Sequence, residues 1–185
     1  MKKTGFLSYT TKLFLRMFLL SIGCVITSAF IARFINFTMI RSVAAYAFLL
    51  LILPLIFSFS WDMGQADNEK AIKNNSRTNI FKGLMAGLIA SVPFFISGIL
   101  LILSKLELFS YGYFRIYKLI NSFYFPINHT LLPNELLISE ISWGSLLISV
   151  SLLLIVPVIS MFGYMLGDKH YSITSVLIYK KKKTE

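Results

Sequence analysis

Four apolar runs of about 20 residues each constrain this chain more than any other feature of its sequence. They cover residues 13–32, 42–61, 83–103 and 141–166. A helix of about 20 residues crosses the roughly 30 Å hydrocarbon core of a bilayer, and in lipid a helix satisfies its own backbone hydrogen bonds. We therefore predict an all-α integral membrane protein, with four transmembrane helices in a single polytopic domain that covers residues 1–185.

The overall composition agrees with a membrane protein and excludes several other classes. Hydrophobic residues make up 56% of the chain and charged residues only 14%, whereas soluble domains carry roughly 25% charged residues. The single cysteine, Cys24, lies in an apolar run, so an intrachain disulfide and a CxxC redox pair are both excluded. The net charge of +10 comes from cations beside apolar runs, which favours a lipid bilayer with anionic headgroups as partner and not a nucleic acid.

A further stretch, residues 108–127, is apolar but carries two cations near its middle. As a transmembrane helix it would bury Arg115 and Lys118, at about 2.5 to 3.5 kcal/mol each. As an amphipathic helix it groups Arg115, Lys118 and Ser122 on one face, and large apolar side chains on the other. That apolar face comprises Phe109, Tyr113, Ile116, Tyr117, Ile120 and Tyr124. We therefore expect an interfacial or re-entrant amphipathic helix, with a fifth span as the alternative.

The positive charges are distributed unevenly between the two sides of a four-span protein. With the N-terminus inside, thirteen of the 18 Lys and Arg residues fall on the cytoplasmic side. These are Lys2, Lys3, Lys12, Arg16, Lys70, Lys73, Arg77, Lys82, Lys169, Lys180, Lys181, Lys182 and Lys183. Because cytoplasmic segments carry an excess of Lys and Arg, we expect both termini in the cytoplasm. We expect the last four lysines to contact lipid headgroups.

Residues 1–29 also have the layout of a signal peptide, with two N-terminal lysines, an apolar stretch and small residues near its end. The apolar run continues past the small residues and is long enough to remain as an anchor. We therefore expect the first span to be retained, with cleavage to a three-span protein as the alternative.

Small residues recur at helical spacing in the third and fourth runs. They are Gly83, Gly87 and Ser91 in the third run, and Gly163 and Gly167 in the fourth. Small residues four apart allow two membrane helices to approach closely. We predict helix packing within the bundle at these residues, with a homo-oligomer as the alternative.

The densest polar segment follows the second run. We take it for a cytoplasmic loop that is a candidate interaction site, formed by Trp61, Asp62, Gly64, Asp67, Asn68 and Glu69. Its three carboxylates offer oxygen ligands to a hard cation, but their spacing does not match an EF-hand. A solvated loop is the simpler interpretation, and we predict no metal site.

Sequence motifs of the common enzyme classes are absent. The chain has no HExxH, GxSxG, P-loop or GxGxxG pattern, and none of the four runs has an ionisable residue near its centre, as proton-coupled pumps usually do. We therefore name no catalytic residue and expect no cofactor.

Three segments together resemble a known group of proteins. They are the polar segment at residues 61–68, the run Lys82–Pro93 that reads KGLMAGLIASVP, and Gly163–Gly167 ahead of a lysine tail. The pattern resembles small, uncharacterised multi-pass membrane proteins of Gram-positive bacteria. That resemblance implies the plasma membrane of a bacterium and assigns no residue a role.

Three functions are compatible with these features. The leading hypothesis is a non-enzymatic accessory or partner-binding subunit, which binds another membrane protein. The second is a small transporter or channel component, because Pro54, Pro93 and Pro157 in the apolar runs can shape a path. The third is a membrane-embedded lipid-modifying enzyme that uses Asp62, Asp67 and Glu69 with a divalent cation.

Overall fold

The structure is a computed structural model that describes residues 5–34, 38–76, 78–132 and 137–169. In those ranges the secondary structure is helical. The α-helices are α1 Phe6–Phe34, α2 Thr38–Lys73, α3 Phe81–Lys105, α4 Tyr113–Ile120, α5 Phe125–Leu131, α6 Trp143–Ser151 and α7 Ile155–Asp168. Two 3₁₀ turns, Ser122–Tyr124 and Leu152–Leu154, join α4 to α5 and α6 to α7.

Three helical segments are long and apolar enough to cross a membrane. They are Phe6–Phe30, Phe81–Lys105 and Trp143–Asp168. The all-α prediction is therefore confirmed for the described residues, and three of the four predicted runs lie in helices that are long and apolar enough to span a membrane. The first segment begins seven residues before the predicted run and includes Lys12 and Arg16. Residues 42–61 lie within α2, which is not one of the three, and many side chains in residues 38–49 lie outside the description.

Residue contacts fix the relative directions of the four long helical segments. Tyr9 near the start of α1 packs on Phe59 of α2, with ring centroids 5.4 Å apart. Gly163 of α7 lies against Phe57 and Ser60 of α2. Gly83 near the start of α3 lies against Ser160 and Tyr164 of α7. The starts of α1 and α3 and the ends of α2 and α7 therefore lie at the same end of the bundle, which we call the Asp67 end.

The turn between α6 and α7 has a local cause in the sequence. Pro157 lacks the N–H that would bond to the carbonyl of residue 153, and its ring crowds that carbonyl. The helix tightens into the 3₁₀ turn Leu152–Leu154 just before it. Pro54 and Pro93, in contrast, lie inside continuous helices.

The segment 108–127 lies deep in the bundle instead of resting on its surface. Ser122 donates a 2.7 Å hydrogen bond to the Ser21 carbonyl in α1, about 20 Å short of the end of that helix at Phe34. Phe123 packs edge-on against Phe94 of α3, at 5.6 Å. The segment therefore enters between α1 and α3 from the end opposite to Asp67.

The predicted division of this segment into a buried apolar face and an exposed polar face is partly wrong. Tyr113, Tyr117 and Tyr124 are buried as expected, but Lys118 and Ser122 are buried too. Phe109, Ile116 and Ile120 are exposed. Residues 108–127, which we call the inserted segment, turn one side toward the other helices, so Lys118 and Ser122 donate to carbonyl oxygens of the chain instead of to water.

Candidate functional site

Asp67 is the centre of a polar cluster at the Asp67 end, which consists of Asp67, Lys70, Lys82 and Tyr164. The Asp67 side chain is buried, and its Oδ2 accepts hydrogen bonds from Lys82 Nζ and, at 2.9 Å, from the Tyr164 hydroxyl. Lys70 Nζ lies 3.6 Å from Oδ1. The cluster therefore joins α2, α3 and α7 through one carboxylate, which has a cation near each of its two oxygens.

Close backbone contacts surround this cluster, at the small residues that the sequence singles out. A Cβ at Gly83 would lie 2.7 Å from the Ser160 carbonyl oxygen, and one at Gly87 would lie 2.7 Å from Pro157 Cα. A Cβ at Gly163 would lie 2.6 Å from the Phe57 carbonyl oxygen. Gly83 and Gly87 thus allow α7 to pack closely on α3, and Gly163 allows it to pack closely on α2.

The remaining small residues extend the same contacts. A Cβ at Gly167 would overlap the Trp61 carbonyl oxygen, and one at Gly64 would lie 2.8 Å from the Asp168 amide nitrogen. Ser91 is buried in α3. The small residues Gly64, Gly83, Gly87, Gly163 and Gly167 are thus covered by helices of the same chain.

The polar segment after the second run is helical and not a loop, because α2 continues to Lys73. At about 100° per residue, Asp62 and Asp67 are about 140° apart around the helix. Asp62 and Glu69 are exposed, whereas Asp67 is buried. The three carboxylates therefore do not converge, and no group of three His, Cys, Asp or Glu residues in the described ranges is placed to hold a metal ion.

A polar cleft of about 660 Å³ opens at the Asp67 end, and we call it the Asp168 cleft. Its lining comes from the end of α2, the α2–α3 turn and the end of α7: Asn68, Ala71, Ile72, Asn75, Ser76, Thr78, Ile80 and Asp168. Oδ1 of Asp168 is buried and accepts no hydrogen bond from the part of the chain that the structure describes. A buried carboxylate oxygen without a donor favours a ligand that brings one.

The wall of the cleft is shaped by the C-terminus of α2. Ser76 N donates to the Ala71 carbonyl at 2.9 Å, and Asn75 N donates to the Ile72 carbonyl at 3.4 Å. Asn75 has a φ of 47°. This is a Schellman ending, which requires the left-handed conformation that asparagine tolerates.

At the opposite end, the inserted segment carries a buried hydrogen-bond network, which we call the Asn128 network. The Tyr117 hydroxyl donates to the Ser149 carbonyl at 2.9 Å, and Ser149 Oγ donates to Asn128 Oδ1 at 2.7 Å. Asn121 Nδ2 donates to the Tyr117 carbonyl at 3.1 Å. Asn121 Oδ1 and Asn128 Nδ2 are buried without a partner among the described residues. Burial raises the pKa of Tyr117 to about 12, so its hydroxyl remains a neutral donor.

Lys118 is the most deeply buried cation of the described residues, with 3% of its surface exposed. Its ammonium donates to the Leu132 carbonyl and lies 5.2 Å from the Phe114 ring centroid. Burial, and then the charge of Arg115, lower the pKa of Lys118 to about 8. The Leu132 carbonyl and the Phe114 ring beside the ammonium offset part of the cost of burying it.

Lys105 lies at the C-terminus of α3, at the end of the bundle opposite to Asp67. Its Nζ donates to the carbonyls of Ile138, Ser139 and Ile141, at 3.0, 2.6 and 2.7 Å. All three donors of the ammonium are used. Lys105 thus holds the loop before α6 on the end of α3.

Several of these residues were missed by the sequence analysis: Tyr164, Asp168, Asn121, Asn128 and Ser149, and the pairing of Lys82. Lys82 did give a signal, because a cation in the first turn of a helix opposes the helix dipole and needs an acidic partner. The two asparagines, seven residues apart in an apolar segment, were a second signal. The candidate headgroup site Lys180–Lys183 lies outside the described residues.

Comparison of the chain with family models, curated proteins and solved structures finds no match.

Proposed function

We propose that this chain is a four-span plasma-membrane protein with cytoplasmic termini, and that it acts as a non-enzymatic accessory subunit. In this proposal it binds a segment of a partner protein in the Asp168 cleft. The observation that carries the proposal is the buried Asp168 Oδ1, which lacks a donor among the described residues and lies in a cleft of about 660 Å³.

The helix directions support four spans. Since α1 and α3 start at the same end of the bundle, the chain must return along α2 between them. Residues 42–61, within α2, form an apolar run of the required length. The inserted segment is then re-entrant on the outer side, and the Asp67 end faces the cytoplasm, where most of the Lys and Arg residues lie.

The chemistry of the cleft supports a partner that donates hydrogen bonds or carries positive charge. Asn68, Asn75, Ser76 and Thr78 supply amide and hydroxyl groups to its lining, and Asp168 supplies the one charge among the described lining residues. Ile72 and Ile80 are exposed and add an apolar edge. A lysine or arginine side chain next to an aliphatic residue fits this combination.

Site-specific photo-crosslinking in intact cells tests the proposal. A photoreactive residue at Thr78, in the cleft lining, is expected to give an adduct of one defined mass, and Asp168→Lys is expected to abolish that adduct. The control position is exposed Tyr111, at the opposite end of the chain's bundle. The proposal fails if Thr78 gives no adduct, if the adduct is only a crosslink within the chain, or if Asp168→Lys leaves the adduct unchanged.

The Asn128 network favours a second candidate, a transporter or channel component. Irregular backbone at membrane depth is found where it is buried in protein or lines a water-filled path, and no described residue pairs with Asn121 Oδ1 or Asn128 Nδ2 of the network. In this case purified chain in vesicles accelerates the leak of a small polar solute, and Asn128→Leu removes the acceleration. Vesicles that leak no faster than protein-free ones would exclude this candidate.

A further inference from the structure

Arg16 stands out among the cations of the chain, because it lies far inside an apolar helix and on its exposed side. It is ten residues past Phe6, the start of the first candidate span, which places its Cα about 15 Å along the helix. The guanidinium lies 3.8 Å from the centroid of the Phe59 ring. It therefore bends back toward the Asp67 end, as an arginine does when it reaches for the membrane surface.

The contacts of Arg16 leave its charge only partly compensated. Among the described residues, no carboxylate lies within ion-pair distance of it. The Phe59 ring attracts the cation through its face, but a ring accepts none of the in-plane hydrogen bonds of the guanidinium. An anion that approaches in the plane of the guanidinium would satisfy those donors.

An apolar groove of about 260 Å³ runs beside this guanidinium, between α1 and α2. We call it the Arg16 groove. Its lining is Leu13, Arg16, Leu19, Leu20, Leu55 and Ile56. Leu13 and Ile56 are buried and form its floor, whereas Leu19 and Leu55 are exposed and form its walls. Arg16 is the one charged residue of the lining.

We propose that the Arg16 groove binds one anionic phospholipid, with a phosphate oxygen pair on the guanidinium and an acyl chain along the leucines. The planar guanidinium fork matches phosphate geometry, and it binds more strongly where water is excluded. The anionic head of such a lipid complements the guanidinium, and its apolar tail complements the leucines of the groove. Basic pockets between transmembrane helices on the cytoplasmic side are known to select anionic headgroups.

This proposal depends on the first helix crossing the membrane and does not depend on the partner proposed for the Asp168 cleft. It also differs from the expected contact of Lys180–Lys183 with headgroups, because a tail attracts any anionic surface, whereas a groove with one arginine holds a single lipid. The two contributions separate experimentally, since the tail is the same in every variant of Arg16.

Native mass spectrometry of the purified full chain in detergent, titrated with dioleoyl phosphatidylglycerol or dioleoyl phosphatidylcholine, tests the proposal. The wild-type chain is expected to bind the first phosphatidylglycerol more tightly than the first phosphatidylcholine. Arg16→Leu is expected to lower the affinity for the first phosphatidylglycerol by roughly fivefold or more, which corresponds to the loss of one cation at the headgroup. Leu19→Trp, which fills the groove, is expected to weaken it as well.

Arg115→Leu is the matched control, because Arg115 is exposed and its guanidinium also lies over a phenylalanine ring, Phe114 at 5.7 Å. This variant loses one positive charge at a position outside the groove, and the first phosphatidylglycerol is expected to bind as it does to the wild type. Equal losses in Arg16→Leu and Arg115→Leu would overturn the proposal. So would an Arg16→Leu chain that keeps wild-type lipid affinity but changes its oligomeric state, because the groove would then bind a second copy. Circular dichroism confirms that each variant is folded.

Discussion

The Tyr164 hydroxyl of α7 donates a 2.9 Å hydrogen bond to the buried carboxylate of Asp67 on α2, 97 positions away in the sequence. Lys82 on α3 donates to the same carboxylate oxygen. One carboxylate thereby connects three helices that meet at the Asp67 end. The glycine contacts beside it bring the backbones of these helices close enough for this side-chain arrangement to form.

We expect Lys82→Met to destabilise the chain by about 3 kcal/mol, because it removes a partner from a buried carboxylate. Tyr164→Phe removes one hydrogen bond to a charged group and is expected to cost about 1.5 to 3 kcal/mol. The double variant Asp67→Leu and Lys82→Met is expected to be more stable than Lys82→Met alone, because it also removes the buried carboxylate that has lost its nearest cation. Thermal unfolding in detergent measures all three, and a Lys82→Met chain as stable as the wild type would contradict the role of the cluster.

We expect Gly167→Ala to destabilise the chain by about 1 to 3 kcal/mol. The new methyl group would overlap the Trp61 backbone carbonyl, and a backbone atom cannot move aside as a flexible side chain can. The control is Gly23→Ala, since a Cβ at Gly23 has nothing within 4 Å. Because alanine is the better helix former, that control is expected to be neutral or to gain about 0.5 to 1 kcal/mol. If both variants unfold at the wild-type temperature, α7 does not pack tightly on α2.

Lys105→Met is expected to cost about 1.5 to 3 kcal/mol. The change removes the cation that binds the carbonyls of Ile138, Ser139 and Ile141, and hydrogen bonds to charged groups are stronger than neutral ones. Faster proteolysis of the loop before α6, with the rest of the chain intact, would locate the effect. No change in either stability or cleavage would show that the loop is held by other contacts.

The stability of the chain is expected to depend on pH through Lys118. Its pKa is about 8 in the folded chain, against an ordinary value of 10.5, because of burial and then Arg115. Between these values the unfolded chain binds more protons than the folded one, so the free energy of unfolding rises as the pH rises. The wild-type chain should therefore gain stability relative to Lys118→Met between about pH 8 and 10.5. The burial of an ionisable Lys118 would be contradicted if the free energy of unfolding of the wild type, relative to that of Lys118→Met, stays constant or falls over this range.

Much of the helical framework could be predicted from the sequence, since length and hydropathy suffice to locate apolar helices. The predicted ends of the helices were less accurate. Residues 61–69 were predicted as a polar loop, yet they continue α2, which ends at Lys73. Gly64 and Asp67 pack on α7, and only part of the segment meets solvent. Hydropathy reports the average polarity of a segment and not which of its faces is covered.

The polar sites were harder to predict for a different reason. Lys118 was expected at the membrane surface because a lone charge is costly in lipid. In the structure this charge has the Leu132 carbonyl and the Phe114 ring as neighbours. The Asp67 and Tyr164 pair depends on a tertiary contact between distant helices. No local pattern encodes that contact, whereas the small residues that allow it are visible in the sequence.

Cysteine accessibility in intact cells tests the four-span arrangement most directly. In a Cys24→Ala background, single cysteines replace Gly5 at the start of α1, Asn74 after α2 and Ser139 before α6, and all three positions are exposed. A membrane-impermeant maleimide is expected to label Ser139→Cys at once, and to label Gly5→Cys and Asn74→Cys only after the cells are permeabilised. If Gly5→Cys and Asn74→Cys are labelled from opposite sides, α2 does not cross the membrane and the four-span account is wrong.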